Sequence, residues 1–333
     1  MVISFVIPTL NEAAYLSRCV RSIRRLKRPS SVTDIDITIV DTGSSDQTLT
    51  IAAAVADRVL QMPGATVAAA RNSGCRDARG ELLAFVDADC ELPEDWLSYG
   101  LAHLQRPDIL AAGTSLMAPP ATATWVERHW HRVSQTAHGT PYEFVRWLPT
   151  SNLLVWRHAF SAADGFNEAL VTCEDCDFGY RLSREHKIVL EHRVRTRHLR
   201  ESRTVTELFR REWWRGLGNF QSWRLHRWDR HELWSVVGPP LFLMCMLTLL
   251  LTAMLPPSPQ RLLIIAFEAI AIAVTPWLML LKRGVGPHVG FSTFVRSYVL
   301  VCVYLSARGI AVFNRRKRLE PAGVAKVECD SRT

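Results

Sequence analysis

Three short apolar segments, each followed at once by polar and acidic residues, lie within the first ninety residues of this 333-residue chain. They span residues 2–7, 37–40 and 82–86, and stretches typical of helices lie between them. This alternation predicts an α/β fold with a parallel sheet and right-handed crossovers. Ligands bind at the carboxyl ends of the strands in an open parallel sheet. We therefore expect the polar residues that follow the three segments to share one site.

Apolar residues are distributed unevenly along the chain. Up to about residue 230 the sequence is typical of an α/β domain, and long apolar runs follow. Residues 234–255 and 262–281 are each long enough to span a bilayer, although Pro239-Pro240 would kink the first or mark its start and Glu268 interrupts the second. Two membrane spans are therefore expected.

A third apolar run, residues 289–313, contains Arg296 and Arg308. Each arginine costs about 2.5–3.5 kcal/mol in the middle of a membrane. If the N-terminal domain is cytosolic, two spans return the chain to the cytosol at Lys282-Arg283, and a third would carry the basic residues 315–318 outside, against the positive-inside rule. We therefore favour a re-entrant or interfacial helix here over a third span.

The net charge limits the kinds of binding partner, and the cysteines indicate the cellular compartment of the N-terminal domain. A net charge of +8 fits nucleic acid, a membrane surface or an anionic substrate. Arginines alternate with tryptophans in residues 193–230, directly before the apolar runs, which favours a membrane and argues against nucleic acid. Eight cysteines without regular spacing and no cationic leader favour reduced thiols and a cytosolic N-terminal domain.

Six motifs follow one another in a fixed order over residues 2–200. They are Val6-Ile7-Pro8-Thr9-Leu10-Asn11-Glu12, Val40-Asp41-x-Gly43-Ser44-x-Asp46, Ala70-Arg71-Asn72-x-Gly74, Asp87-Ala88-Asp89, Gly165-Phe166-Asn167-Glu168 and Glu174-Asp175. Together they resemble family 2 glycosyltransferases of the GT-A fold, a Rossmann-like fold of nucleotide-diphospho-sugar transferases. The resemblance implies a nucleotide-sugar donor and a divalent metal, Mg²⁺ or Mn²⁺.

The donor's chemistry explains why acids should lie at the strand ends. A nucleotide sugar leaves as a diphosphate, and a hard cation held by carboxylates neutralises the charge that develops. Alternation along a strand would turn Asp87 and Asp89 to one side, Asp87 toward the ribose and Asp89 toward the metal. The pattern alone is weak, since residues 34–36 and 175–177 match it too.

The resemblance also assigns residues to the nucleotide. Pro8, Thr9, Glu12 and Asp41 would line the nucleoside pocket, with Asp41 accepting a hydrogen bond from the base. Ordinary turn and cap chemistry is the alternative at these positions. Arg71 could bind the phosphate or the base, and a surface salt bridge is its alternative.

The predicted catalytic base is Asp175, which would remove the proton of the acceptor hydroxyl, with Glu174 beside it. Acids are also favoured at helix N-termini, so a capping role is the alternative for Glu174 and Asp177. Cys173 and Cys176 make the surroundings apolar, which would raise the basicity of Asp175; a redox or zinc role for the pair is disfavoured by the acids between them. The resemblance implies that His198, which follows a predicted strand, lies beside the metal or diphosphate and is the second expected metal ligand; a satisfied core or surface histidine is the alternative.

Residues 210–214 occupy the place where processive polysaccharide synthases of this family carry Gln-x-x-Arg-Trp. Only Trp214 matches, which argues against polymerisation. An amphipathic helix at the membrane surface is the favoured interpretation. The predicted domains are a GT-A domain over residues 1–205, an interfacial Trp/Arg-rich helix over 206–232, membrane helices over 233–314, and a basic, then flexible tail over 315–333.

The function expected from this reasoning is inverting transfer of one sugar from a nucleotide donor to a hydroxyl acceptor, lipid-linked or saccharide, in the building of cell-envelope polysaccharide or glycolipid. The protein would lie in the cell membrane as a multi-pass protein, with its catalytic domain on the cytoplasmic side. Two alternatives stay open at this point: a polyprenyl-phosphate glycosyltransferase, and a catalytically silent membrane partner subunit.

Overall fold

A computed structural model describes residues 1–135 and 140–313. Its strands all join one sheet. The strands are β1 (Val2–Thr9), β2 (Asp34–Asp41), β3 (Arg58–Gln61), β4 (Leu82–Val86), β5 (Cys90–Glu91), β6 (Ile109–Leu116), β7 (Tyr142–Val145), β8 (Asn152–Trp156) and β9 (Lys187–His198). The α-helices are α1 (Leu16–Arg24), α2 (Thr48–Val55), α3 (Val67–Arg76), α4 (Trp96–Leu104), α5 (Trp125–Ser134), α6 (Arg157–Ala162), α7 (Glu174–Leu182), α8 (Val205–Gly216), α9 (Asn219–Leu225), α10 (Leu233–Ala253), α11 (Pro259–Lys282) and α12 (Phe291–Phe313).

The first four strands are parallel and lie in the order β3-β2-β1-β4. Thr9 pairs with Asp41 where β1 and β2 end, and Val6 pairs with Phe85 near the end of β4. Parallel strands end on the same side of a sheet. The residues that follow β1, β2 and β4 therefore leave the sheet at one edge, which agrees with the prediction from the sequence.

The other half of the sheet is mixed. β8 lies antiparallel between β4 and β6, and β6 runs parallel to β9. The parallel sheet predicted from the first part of the chain is thus confirmed for β1 to β4, and β8 adds an antiparallel strand whose direction was not predicted. Reasoning from the sequence missed β6, because Ala111-Ala112-Gly113 lacks the β-branched residues that mark a strand. Gly113 is required there, since a Cβ would lie 2.8 Å from the carbonyl oxygen of Asn152.

Both faces of the sheet are covered. On one face Phe5 packs on Trp96 of α4, with ring centroids 6.1 Å apart. On the other face four buried phenylalanines form an aromatic cluster whose neighbouring ring centroids are 5.0–5.5 Å apart. Its members are Phe85, Phe160, Phe166 and Phe178. This cluster supports α7, because Phe178 belongs to that helix.

The helix predicted over residues 206–232 is interrupted. α8 ends at Gly216 and α9 begins at Asn219, with Gly218 between them. The backbone of Gly218 approaches Thr172 so closely that a Cβ would lie 2.2 Å from the Thr172 carbonyl oxygen. The break lets the backbone N–H of Gly218 donate to the Thr172 hydroxyl at 2.9 Å, and so it joins these helices to the segment before α7.

Three helices are long and apolar enough to cross a membrane: α10 with 21 residues, α11 with 24 and α12 with 23. They indicate that the protein associates with a membrane. The segment predicted at 289–313 is one continuous helix that packs on α8 as well as on α10. Its membrane placement and the proposed domain limits stay predictions, and residues 315–333 of the expected tail lie outside the described residues.

Candidate active site

Asp41 holds the loop that follows β2. Its buried Oδ1 accepts hydrogen bonds from the backbone N–H groups of Gly43 and Ser44, both at 2.9 Å. Its Oδ2 accepts from the Ser44 hydroxyl and, at 3.2 Å, from the Thr9 hydroxyl. Pro8 precedes Thr9 at the end of β1. The structure therefore brings Pro8, Thr9 and Asp41 together, and the contact between Asp41 and a base stays a prediction.

Glu12 lies deeper in the cleft than its position in a loop suggests. Its Oε1 accepts from the Arg200 guanidinium at 2.8 Å, and its Oε2 is buried with no hydrogen-bond partner among the described residues. Burial, reinforced by the negative charge of Asp89, raises the pKa of Glu12 to about 7. Glu12 thus belongs to the acidic cluster of the strand ends, as well as to the expected nucleoside pocket.

The chain turns sharply after β4, because the backbone N–H of Cys90 donates to the carbonyl of Asp87 at 2.9 Å. The alternation of a strand therefore does not continue through Asp87 and Asp89. Asp87 Oδ1 accepts from Arg71 at 2.8 Å, whereas Asp89 Oδ1 lies 3.5 Å from His198 Nε2. The negative charge of Asp87 helps to raise the pKa of Asp89, but the two carboxylates have different hydrogen-bond partners.

The predicted metal ligands Asp89 and His198 lie side by side because β5 pairs antiparallel with the end of β9, with Cys90 opposite His198. Ligand atoms of these three residues lie within 4.8 Å of one another. Burial raises the pKa of Asp89 and that of the Cys90 thiol. Mg²⁺ and Mn²⁺ prefer oxygen ligands, and imidazole suits several divalent metals. Asp89 and His198, rather than the protonated Cys90, therefore fit such an ion.

Arg71 joins the two acidic parts of the cleft. Its buried guanidinium donates from Nη2 to Asp87 at 2.8 Å and from Nη1 to Glu174 at 2.7 Å, and it stacks over the Phe166 ring at 5.8 Å. The alternative of a surface salt bridge is wrong, because the side chain is only 4% exposed. A contact of Arg71 with the nucleotide stays a prediction, as does a catalytic part for Glu174.

Asp175 lies in the first turn of α7, beside Glu174. Burial of its carboxylate, reinforced by the charge of Glu174 and opposed by that of Arg71, raises the pKa of Asp175 to about 7. The backbone N–H of Cys176 donates to Asp175 Oδ1 at 2.8 Å. A carboxylate with a pKa near neutrality can accept a proton during a reaction at neutral pH.

Two of the motifs contact each other directly. The Asn72 side chain donates to the Phe166 carbonyl at 2.8 Å and accepts from the Phe166 N–H at 2.9 Å. It also donates to Glu168 at 2.9 Å. Asn72 therefore fastens α3, which carries Arg71, to the segment before α7.

The family to which these motifs belong is shown by comparison with known proteins. Residues 4–164, which include the first four motifs, match the sequence model of the family described as Glycosyl transferase family 2. This chain is therefore a glycosyltransferase that contains a family 2 domain.

Relatives and a solved structure agree with this membership. Glycosyltransferase AglE of Haloferax volcanii is 26% identical over 265 residues, which are 72% of this glycosyltransferase and 83% of AglE. Pre-mycofactocin glycosyltransferase of Mycobacterium tuberculosis is 26% identical over 190 residues, 54% of this chain and 38% of that protein. The fold resembles that of the mannosyltransferase PcManGT from Pyrobaculum calidifontis, solved with GDP-Man and Mn²⁺, with a TM-score of 0.60, 16% identity and coverage of 94% of this chain and 88% of that one. The GT-A fold is thereby shown.

Several residues of the glycosyltransferase's cleft were not predicted. Arg200 reaches Glu12, and Glu201 lies 3.5 Å from His198 and accepts from Arg211 of α8 at 2.9 Å. The sequence signal was their position directly after His198, where charged residues can reach back to the same site.

The acid Asp177, a candidate for helix capping, has another role in this glycosyltransferase. It accepts from Arg181 at 2.7 Å and lies 3.3 Å from His226, which in turn lies 2.6 Å from Glu232. The His226 ring stacks on Tyr180 with centroids 3.9 Å apart. Asp177 thus ties α7 to the segment between α9 and α10, and no sequence pattern pointed to this contact.

Proposed function

We propose that this glycosyltransferase moves one sugar from a nucleotide-diphosphate donor to a hydroxyl acceptor, with inversion at the anomeric carbon. The observation that carries the proposal is the position of Asp175. This carboxylate, with a pKa of about 7, lies in the first turn of α7 beside Glu174, and Arg71 links Glu174 to Asp87 at the donor side. A base and a donor site joined through one buried arginine suit direct displacement.

The donor would lie along the edge of the sheet. Pro8, Thr9 and Asp41 would contact the nucleoside, and Asp87 the ribose. Asp89 and His198 would hold the divalent cation. When bound, the cation supplies positive charge to the diphosphate as it leaves.

The proton of the acceptor goes to Asp175. As the acceptor oxygen forms its bond to the anomeric carbon, the bond from that carbon to the donor's phosphate oxygen breaks. The acceptor hydroxyl gives its proton to a carboxylate oxygen of Asp175, and the nucleoside diphosphate departs with the bonding electrons. Glu174, held by Arg71 at 2.7 Å, raises the pKa of its neighbour Asp175.

A lipid-linked acceptor suits the surroundings of α7 better than a free saccharide. An apolar cavity of about 240 Å³ lies between α9, α10 and the end of α12, with Phe220, Trp223 and Leu241 in its wall. Asn219, the neighbour of Phe220, accepts from Cys173 at the start of α7. A lipid chain in this cavity would bring its head group to the side of α7, which makes a glycolipid product the favoured one.

We place α10 and α11 across the membrane and α12 obliquely in its cytosolic half. Tyr298 of α12 donates to the carbonyl of Ala273, nine residues before the end of α11, and Gly309 packs on Pro239, six residues after the start of α10. At about 1.5 Å per residue, these contacts lie about 14 and about 9 Å from the helix ends nearest the catalytic domain. The same contacts are about 16 Å apart along α12, so α12 crosses the other two obliquely.

Contacts with the catalytic domain support this placement of α12. Trp130 of α5 packs on Tyr304 with ring centroids 5.8 Å apart, and Arg308 pairs with Glu212 of α8. If α12 stays in the cytosolic half of the membrane, the basic residues 315–318 remain in the cytosol, as the positive-inside rule favours. A fluorescent protein fused after residue 333 should therefore fluoresce, and alkaline phosphatase fused there should be inactive; the reverse result would support a third span.

The function is tested by donor and acceptor screening of the purified protein. UDP-glucose, UDP-N-acetylglucosamine and GDP-mannose are offered with Mn²⁺ and either dodecyl β-maltoside, which has hydroxyls, or a polyprenyl phosphate, which is already ionised. Release of the nucleoside diphosphate is measured. Asp175→Asn should slow transfer to the hydroxyl about 10²- to 10⁴-fold, because a general base contributes that much. Glu185→Gln, an exposed acid just beyond α7, is the matched control.

The outcomes separate the alternatives. Transfer to the polyprenyl phosphate that survives Asp175→Asn identifies the polyprenyl-phosphate glycosyltransferase, whose acceptor needs no base. A wild-type protein that binds neither UDP nor GDP in the presence of Mn²⁺ and releases nothing is the silent subunit.

A further inference from the structure

Arg308 is the one arginine of α12 whose guanidinium is held by the catalytic domain within the described residues. Its Nε and Nη2 donate to Glu212 Oε2 of α8 at 3.0 and 2.9 Å, and the side chain is 15% exposed. Glu212 is itself 1% exposed and also pairs with Arg215. Arg296 of the same helix is exposed. A buried charge is costly unless it is paired, so the pair of Arg308 with Glu212 is a specific connection between α12 and α8.

The remaining donor of Arg308 shares its acceptors with the segment before α7. Nη1 donates to the Arg215 carbonyl at 3.1 Å and to Asn219 Oδ1 at 2.9 Å. The same two oxygens accept from that segment: Arg215 O from the Thr172 hydroxyl at 3.3 Å, and Asn219 Oδ1 from the Cys173 thiol at 3.1 Å. Arg308 therefore fixes the two atoms on which Thr172 and Cys173 depend.

The turn that Arg308 supports has a strained backbone. Cys173 has φ of +69°, in the left-handed region that favours glycine, and the next residue begins α7. A non-glycine residue keeps such a conformation only where its surroundings hold it. The contacts of Thr172 with Gly218 and Arg215, and of Cys173 with Asn219, supply that restraint. The direction of the first turn of α7, and with it of Glu174 and Asp175, depends on them.

We infer that Arg308 is a positioning residue. Through Arg215 and Asn219 it connects the apolar helix α12 to the turn of Thr172 and Cys173 before α7. This connection would orient Asp175 toward the acceptor. The inference rests on the proposed function, because it takes Asp175 as the base. It gives the arginine in the apolar helix α12 a role, and it makes the position of the Asp175 carboxylate depend on the position of α12. Arg308 touches no reacting atom.

Arg308→Met tests the link, because methionine keeps apolar bulk but donates no hydrogen bond. With the donor and acceptor that the wild type uses fastest, kcat should fall about tenfold to a hundredfold, since a displacement of about 1 Å can cost that much. The KM for the donor and the Kd for UDP or GDP with Mn²⁺ should stay unchanged. Hydrogen–deuterium exchange should become about tenfold faster in peptides covering residues 171–178 and stay unchanged in β1 to β4.

Arg296→Met in the same helix is the matched control and should change none of these quantities. An unchanged kcat per nucleotide-binding molecule in Arg308→Met would overturn the inference, as would faster exchange throughout the domain. If Arg308→Met yields no nucleotide-binding protein, Arg308→Lys replaces it, since lysine keeps the charge opposite Glu212 but cannot reach all the acceptors. Failure of that variant to bind nucleotide as well would show a role in folding only.

Failure of the proposed function looks different. A wild-type protein without transfer refutes the function, whereas the exchange of residues 171–178 still reports whether Arg308 restrains the turn.

Discussion

Two turns of the cleft, the loop after β2 and the turn before α7, are held in different ways. The loop after β2 is held within the parallel part of the sheet, because Asp41 is bonded to Gly43 and Ser44, two and three residues away, and to Thr9 at the end of the neighbouring strand β1. The turn before α7 depends on distant helices: Glu174 pairs with Arg71, 103 residues earlier, and Cys173 bonds to Asn219, 46 residues later. The loop of Asp41 is therefore held by β1 and β2, while the turn before α7 is held by α3, α8, α9 and α12.

This difference determines which turn responds when distant helices move. The hydrogen bonds around Asp41 form wherever the loop forms, so they change little. The acids of α7 are placed by α3, α8, α9 and α12, and a shift of those helices changes their geometry. Three substitutions test this difference between the two turns, and they follow in order of decreasing expected effect.

Arg71→Met should have the largest effect, because Arg71 joins the two sides. Removing one partner from a buried ion pair costs about 3–5 kcal/mol, since the remaining charges stay buried and unpaired. Denaturant unfolding of the purified protein measures the loss. Arg18→Met is the control: its pair with Glu91 is exposed, and such a pair contributes about 0–1 kcal/mol. A cost for Arg71→Met as small as that of Arg18→Met would contradict the bridging role.

Asp89→Asn should weaken metal-dependent binding on the donor side alone. Loss of residues that only support a metal's ligands costs about 10- to 100-fold in affinity, so loss of a ligand should cost at least about 100-fold. Calorimetric titration of UDP and GDP with Mn²⁺ measures it. Asp34→Asn changes the exposed first acid of residues 34–36, which match the same pattern, and should bind as the wild type does. Equal binding by both variants would show that Asp89 does not bind the metal.

His226→Gln should alter the pH dependence of stability on the acceptor side. Although burial opposes it, the hydrogen bonds and charges of Asp177 and Glu232 raise the pKa of His226 to about 9, and Arg181 faces the same Asp177. A pKa raised above the unfolded value of about 6.5 means that the stabilisation is complete below about pH 6.5 and is lost as the pH rises through about 9. The contribution is at most about 3 kcal/mol.

The measurement for His226 is the free energy of unfolding of the wild type and of His226→Gln at pH 6 and pH 9.5. The gap between the two proteins should be larger at the lower pH. Since Asp175 and Glu12 are present in both proteins, their own titration cancels in this difference. A gap that does not change with pH would show that the Asp177–His226–Glu232 contact is not ionised.

The contrast between the two turns also explains what could be predicted from the sequence. The strand ends and the parallel direction of β1, β2 and β4 were predictable, because apolar runs followed by acids are local patterns. The position of Glu174 at the start of a helix was predictable because acids are favoured there. β6 was not, since a central strand of small residues is defined by its neighbours β8 and β9 rather than by its own composition.

The partners of the functional residues were less predictable than the residues themselves. Asp89 and His198 were expected to lie together through the family resemblance, and the pairing of Cys90 with His198 supplies the physical cause. Arg200, His226 and Arg308 carry no motif, and each acts on an acid far away in the sequence. Their roles arise from tertiary contacts between residues far apart in the sequence, and no local sequence pattern predicts such contacts.

The saturated carboxylate of Asp41 has a consequence for how a nucleobase would be chosen. A base N–H that reaches Asp41 has to displace the hydroxyl of Ser44 or Thr9, so the net gain is the difference between two similar hydrogen bonds. A nucleobase with an acceptor atom at that point would instead be repelled by the Asp41 carboxylate and would be rejected. Asp41 would then add little to the tightness of binding and much to the choice between bases.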